Sequence, residues 1–211
     1  MIDLRHKKQR IVQSLDNYRP LYQSTWSPER NKLSYTAGVL NSIWNIWNNF
    51  WREYWISHTI GGLYVNGSPI IPIQANYSKG QAIFFLLIKI GKLKQSRLGD
   101  SITGTHQEPT WGDIIIIEKL AIELLQFHPH LQQLLNLIGY YRLQVKHFQQ
   151  IRNSFIHLNN ENISKLNNIQ SRYVFNSSQK LINILEANKL GSNETCFEDL
   201  VDNMKGLVLN M

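Results

Sequence analysis

Six consecutive residues, Arg152-Asn153-Ser154-Phe155-Ile156-His157, bring a permanent cation, a carboxamide and an imidazole into one short stretch. RNA cleavage needs little more: a base for the proton of the 2′ hydroxyl, a cation for the charge growing on the phosphate, and an acid for the leaving oxygen. Histidine serves near neutral pH, and arginine offers a fixed fork to phosphate oxygens, so the reaction requires no metal. Asn153 and His157 are four apart and share a helix face. Arg152 and His157 are five apart, about 140° around a regular helix, so they meet at one phosphate only if the helix ends or distorts there, or if two copies combine. The bland reading of the same residues puts Arg152 on the surface, Asn153 at a helix end and His157 against the turn that follows.

The other reactive side chains are arranged less tellingly. His128 and His130 flank Pro129 and with His147 offer a nitrogen-rich metal site, but His-Pro-His at a helix start is more often a cap or loop, and no HExxH accompanies it. The expectation is no metal and no cofactor. Glu118 and Glu123 are five apart on a helix and form no carboxylate pair. Cys196, the single cysteine, allows neither an intrachain disulfide nor a thiolate-rich metal site. No Walker loop, GxGxxG, GxSxG or kinase signature occurs, which argues against phosphoryl transfer, dinucleotide redox and those hydrolase types.

Helices must position the motif. From Pro28 to His58, Leu40, Ile43, Trp44, Trp47, Phe50, Trp51, Tyr54 and Trp55 follow the spacing of one helix face, with Ser27 and Pro28 as a start signal and Gly61-Gly62 as the stop. The tryptophan stripe has the chemistry to stack bases, but its spacing is that of burial, and core packing is the reading preferred. Asn66-Gly67 with Pro69 and Pro72 predicts a short hairpin or irregular excursion. The apolar segment 79–93 leans toward helix, 99–109 reads as a loop, and 111–127 as an amphipathic helix. A long run from Leu131 to Phe155 carries the motif at its end, with Gly139 as a candidate break. The polar stretch 158–162 predicts a turn, followed by helix over about 163–189 that stops near Gly191. Residues 192–211 read as a short helix or a mobile tail.

At 211 residues with 43% hydrophobic side chains, the chain is long enough for one domain with a sizeable core. Its formal charge of +7 favours an anionic partner, nucleic acid first. The first hundred residues hold 13 Lys/Arg against 5 Asp/Glu, so of the totals of 22 and 15 only 9 and 10 remain beyond them. Two clusters stand out, Arg5, Lys7, Lys8 and Arg10, then Lys89, Lys92, Lys94 and Arg97; a solvated charged face is their commoner meaning. No signal peptide or membrane span is expected, and a cytoplasmic location fits the cysteine usage.

The run Arg152 to His157, written RNSFIH, resembles the HEPN superfamily, helical bundles marked by Arg-x(4 to 6)-His, often RNxxxH, near an end of a late helix. The resemblance covers about residues 111–190 together with the Trp-rich helix, leaving 60–110 as an insertion or connection. It implies an all-α bundle of four core helices with an extra N-terminal helix, a homodimer that brings two motifs together, and endoribonuclease activity of the toxin or antiviral-defence kind. By that analogy Arg152 and His157 are catalytic and Asn153 positions or polarises. One departure is Asn159, which stands where the subgroup paired with a tyrosine-modifying antitoxin has tyrosine. The rival expectations keep the bundle. One is a non-catalytic module that binds nucleic acid or protein; the other is a regulatory protein whose aromatic surface docks an antitoxin or a defence complex.

Overall fold

In the computed structural model the described residues are 1–24, 29–93, 100–102, 105–169, 171–174, 181 and 183–211. Ser27, Pro28, Lys94, Arg97 and part of the expected 99–109 loop lie outside them. The described chain is mostly helical, with eight α-helices and three two-residue strands. None of those helices is long and apolar enough to cross a membrane. Internal contacts divide the chain into two compact units, residues 1–11, 46–140 and 210–211, and residues 12–45 and 141–209. Helices α1 (Leu4–Ser24), α2 (Glu29–Ile60) and α5 (Leu131–Ile156) each contribute residues to both.

The first unit is organised by the second half of α2. Its three-and-four spacing puts Trp47, Trp51, Tyr54 and Trp55 on one side, and all four are fully buried. Their rings pack edge-on or stacked, with Trp51 5.5 Å from Trp47 and 6.1 Å from Trp55 between centroids. The stripe is therefore core and offers no platform for bases. Helix α2 ends at Gly61, whose φ of 91° is a conformation that glycine adopts without steric cost. The hairpin expected around Asn66-Gly67 is present: β2 (Gly62–Leu63) pairs antiparallel with β3 (Pro69–Ile70) and parallel with β1 (Ile2–Asp3).

The apolar segment after Lys79 is a helix, α3 (Lys79–Lys89), begun by a reciprocal capping box between Ser78 and Gln81. It buries Ala82, Ile83, Leu86 and Leu87. Helix α4 (Ile114–Leu124) starts at Asp113, whose side chain accepts from the Ile115 amide, and it buries Ile114, Ile117, Leu120, Ala121 and Leu124. Just before it, Gly112 lies against α2: its carbonyl accepts from Trp47 Nε1 at 2.9 Å, and its amide donates to Asn48 Oδ1.

The second unit contains the motif. Here α2 and α5 run antiparallel, with Asn41 opposite Arg152 and Trp44 stacked at 6.1 Å on Phe148. Helix α1 adds Leu15 and Tyr22. Beyond α5 the chain forms α6 (Asn160–Ser164), a 3-10 turn at Lys165–Ile169, α7 (Asn183–Glu186) and α8 (Cys196–Leu209). Among the described residues the long helix expected over 163–189 is thus not formed, with 170, 175–180 and 182 lying outside them. Leu166 and Ile169 are buried three residues apart in the tighter turn, and Tyr173 pairs in an antiparallel bridge with Lys189. The last residues are not a loose tail, since α8 buries Phe197, Leu200, Val201, Met204, Leu207 and Val208. Tyr22 of α1 stacks on Phe197 at 4.1 Å. Nor does Gly139 break α5, which runs unbroken for 26 residues.

Candidate active site

Arg152 sits on the last full turn of α5, held there by the burial of Ile151 and Phe155 on either side of it in sequence. Its guanidinium is half-buried and donates twice: Nη1 to Asn153 Oδ1 at 3.0 Å, and Nη2 to Asn41 Oδ1 on α2. Nε is buried and has no hydrogen-bond partner among the described residues. Burial pulls the pKa below its ordinary value, but a guanidinium remains a cation. No carboxylate among the described residues forms an ion pair with it.

His157 follows immediately on the helix. Its amide still donates to the Asn153 carbonyl at 2.8 Å, so the helical hydrogen-bonding pattern reaches His157 just past the end of α5. Its imidazole is exposed and makes no hydrogen bond to any described residue. The structure thus brings Arg152 and Asn153 together and joins them with Asn41, whereas no hydrogen bond links Arg152 to His157. In a regular helix their five-residue separation leaves them about 140° apart.

The stretch after His157 is more ordered than a plain polar turn. Asn159 caps α6, its side chain accepting from the Asn162 amide at 2.8 Å. Asn162 Nδ2 donates to the His157 carbonyl at 3.1 Å, and the Asn159 amide reaches the same oxygen at 2.8 Å. Ser154, fully buried, shares its hydroxyl between the carbonyls of Gln150 and Asn162, each 2.9 Å away. Ser154 and Asn162 were not legible as positioning groups, and neither was Asn41. The first two had a local signal in the Asn-rich cap, while Asn41 had none, because it meets Arg152 across 111 residues of sequence.

Two features flank the motif in the same unit. His147, 3% exposed on α5, is held neutral by burial, with Arg172 and Lys146 adding to the effect, and its pKa is lowered to about 4. Asp199, fully buried on α8, accepts from Arg172, from Lys189 at 2.6 Å and from the Tyr173 hydroxyl at 2.5 Å. Burial alone would raise its pKa, but these donors hold it below the ordinary carboxylate range.

In the first unit His128 and His130 have a third imidazole beside them, and it is His58; His147 belongs to the second unit. His58 Nε2 lies 2.9 Å from His130 Nε2, and His128 Nε2 donates to the His58 carbonyl at 2.9 Å. Among the described residues no group of three or more His, Cys, Asp or Glu is disposed to hold a metal ion.

Comparison with known proteins adds nothing to this geometry. No family model, curated protein or solved structure matches the chain.

Proposed function

We propose that the protein is a metal-independent endoribonuclease of the HEPN type, acting as a homodimer in which two copies of the Arg152 to His157 motif form one site. The observation that carries this reading is a half-buried guanidinium held by two neutral amide oxygens and by no carboxylate among the described residues, five residues from an exposed imidazole that no described residue hydrogen-bonds. A cation drawn partly out of water without a counter-ion gains most from an anion that arrives from outside. A phosphodiester is the anion for which the neighbouring imidazole has work to do.

In this reading His157 takes the 2′ hydroxyl proton or supplies a proton to the leaving oxygen. Arg152 balances the charge on the pentacoordinate phosphorus, and Asn153 orients Arg152. The helical hydrogen bond at His157 favours a composite site, because Arg152 of one copy and His157 of the other escape the separation that a helix imposes within one chain. Helices α1, α2, α5 and α8 supply the core of the second unit around the motif. The chain's charge of +7 suits an RNA substrate, and its single cysteine fits a cytoplasmic setting.

A second reading rests on the missing contact between Arg152 and His157: the same surface would bind RNA, or a partner such as an antitoxin or defence-complex protein, without turnover. An RNA cleavage assay in the presence of chelator separates the two. Intact protein should cleave, while Arg152→Ala and His157→Ala, both folded, should not; intact protein that binds RNA but leaves it whole would favour the binding module.

A further inference from the structure

We infer that Asn41 is a positioning residue of this site, aiming the Arg152 guanidinium through a neutral oxygen so that its charge stays available to a phosphate. The inference rests on the ribonuclease reading of Arg152 above and extends the site to α2.

Four other arginines of the chain stand against carboxylates. Arg5 pairs with Asp3, Arg19 with Asp202, Arg52 with Glu108 and Arg172 with Asp199. Each of those four cations has a carboxylate partner within the chain. Arg152 is treated differently: it is half-buried, yet both of its acceptors are carboxamides. An amide oxygen takes a hydrogen bond from a guanidinium and fixes its plane, but it brings no negative charge. A carboxylate in the same place would make a stronger, charge-assisted pair and would cancel the field that a phosphate is meant to feel.

The two carboxamides also divide the work. Asn153 is the next residue along α5 and holds Nη1; Asn41 comes from the facing helix and holds Nη2. Anchored from two helices, the planar group loses its freedom to rotate before any ligand arrives, which lowers the ordering cost at binding. Of its five N–H bonds, two are used by these contacts. Three remain; Nε–H is buried, so the second hydrogens on Nη1 and Nη2 are the ones left to meet a phosphate's oxygens.

The decisive variant is Asn41→Asp, which keeps the shape and the hydrogen bond and changes only the charge. We expect its thermal midpoint to equal or exceed that of the wild type. Its affinity for a mixed-sequence single-stranded RNA should fall about tenfold or more, with the slope of log affinity against log salt reduced by roughly one phosphate contact, and cleavage should fall with it. A residue that merely supports the fold gives the opposite pattern, since a stronger pair would leave affinity intact. Should Asn41→Asp fail to fold, Asn41→Leu, which keeps the branched shape and removes the oxygen, tests the positioning directly, and affinity and cleavage should again fall.

Arg152→Ala is measured alongside. If it weakens RNA binding while the folded Asn41 variants bind and cleave like the wild type, the inference about Asn41 is overturned and the reading of Arg152 stands. If Arg152→Ala itself binds and cleaves like the wild type, the ribonuclease reading fails and takes Asn41 with it.

Discussion

His58 Nε2 and His130 Nε2 face one another at 2.9 Å, and the remaining contacts fix which of them carries the proton. His58 Nδ1 lies 2.8 Å from the Tyr54 carbonyl, which can only accept, so Nδ1 is protonated and His58 Nε2 presents its lone pair. His130 must then donate from Nε2. Burial pushes the His58 pKa well down, and both neighbouring imidazoles add to the effect, so the pair is built for neutral rings.

Acid should therefore weaken the fold through its histidines. A histidine whose folded pKa lies below its unfolded value contributes stability that is full above the unfolded pKa and is lost as pH falls toward the folded one. For His147 that window runs from about 6.5 down to about 4, and the loss amounts to at most roughly 3 kcal/mol. Urea midpoints at pH 7.5, 6, 5 and 4 should decline in the wild type and decline less in His147→Gln. Equal slopes in the two proteins would show that His147 is not a source of the acid sensitivity.

Substitution of the exposed His157 should separate activity from stability. His157→Ala is expected to change the unfolding free energy by no more than about 0.5 kcal/mol, as for other surface positions. Cleavage should fall on the order of 100-fold or more, the scale of a lost general acid or base. Parallel thermal melts and single-turnover cleavage measure both, and a variant that keeps its cleavage rate rules out a catalytic imidazole.

The polar centre of the second unit should be costly to break. Asp199→Ala leaves Arg172, Lys189 and the Tyr173 hydroxyl without their shared acceptor, and a loss of about 3 kcal/mol is expected. Because Arg172 and Lys189 keep about a quarter to a third of their side-chain exposure, water recovers part of their solvation, and the loss should stop short of abolishing the fold. Chemical denaturation gives the number directly; a cost under about 1 kcal/mol would mean that the network is dispensable.

Gly112→Ala should strain the first unit. A Cβ there would collide with the Trp47 indole, at the point where that ring donates to the Gly112 carbonyl. Overpacking of this kind typically costs about 1–3 kcal/mol. Tryptophan fluorescence should shift as the ring moves, and an unchanged melt and spectrum would show that Trp47 yields freely.

The sequence was most readable where periodicity and burial agree. The spacing of Leu40 to Trp55 and of Leu131 to Phe155 drew α2 and α5, and the Gly61 stop and the Asn66-Gly67 turn followed from local backbone chemistry. Local signals misled where tertiary burial opposed them. Gly139 costs a helix about 1 kcal/mol, less than α5 gains by burying Leu134, Ile138, Val145 and Phe148. Residues 163–189 look helical by composition, but Tyr173 is drawn to Asp199 and into a bridge with Lys189, contacts no window of sequence reveals. The same holds at the site: the Arg152-Asn153 contact is local, whereas the donor-acceptor pair with Asn41 exists only because α2 and α5 align antiparallel.

The clasp behind His157 also bears on timing. With the Ser154 hydroxyl on the Asn162 carbonyl and Asn162 Nδ2 on the His157 carbonyl, the peptide on the far side of the imidazole is closed like a buckle. The ring then turns only about its own side-chain bonds, motions of picoseconds to nanoseconds, rather than riding on a loop that opens in microseconds. Turnover at such a group would be paced by the arrival and departure of the nucleic acid, or by the bond-breaking step, and solvent viscosity would distinguish between those two clocks.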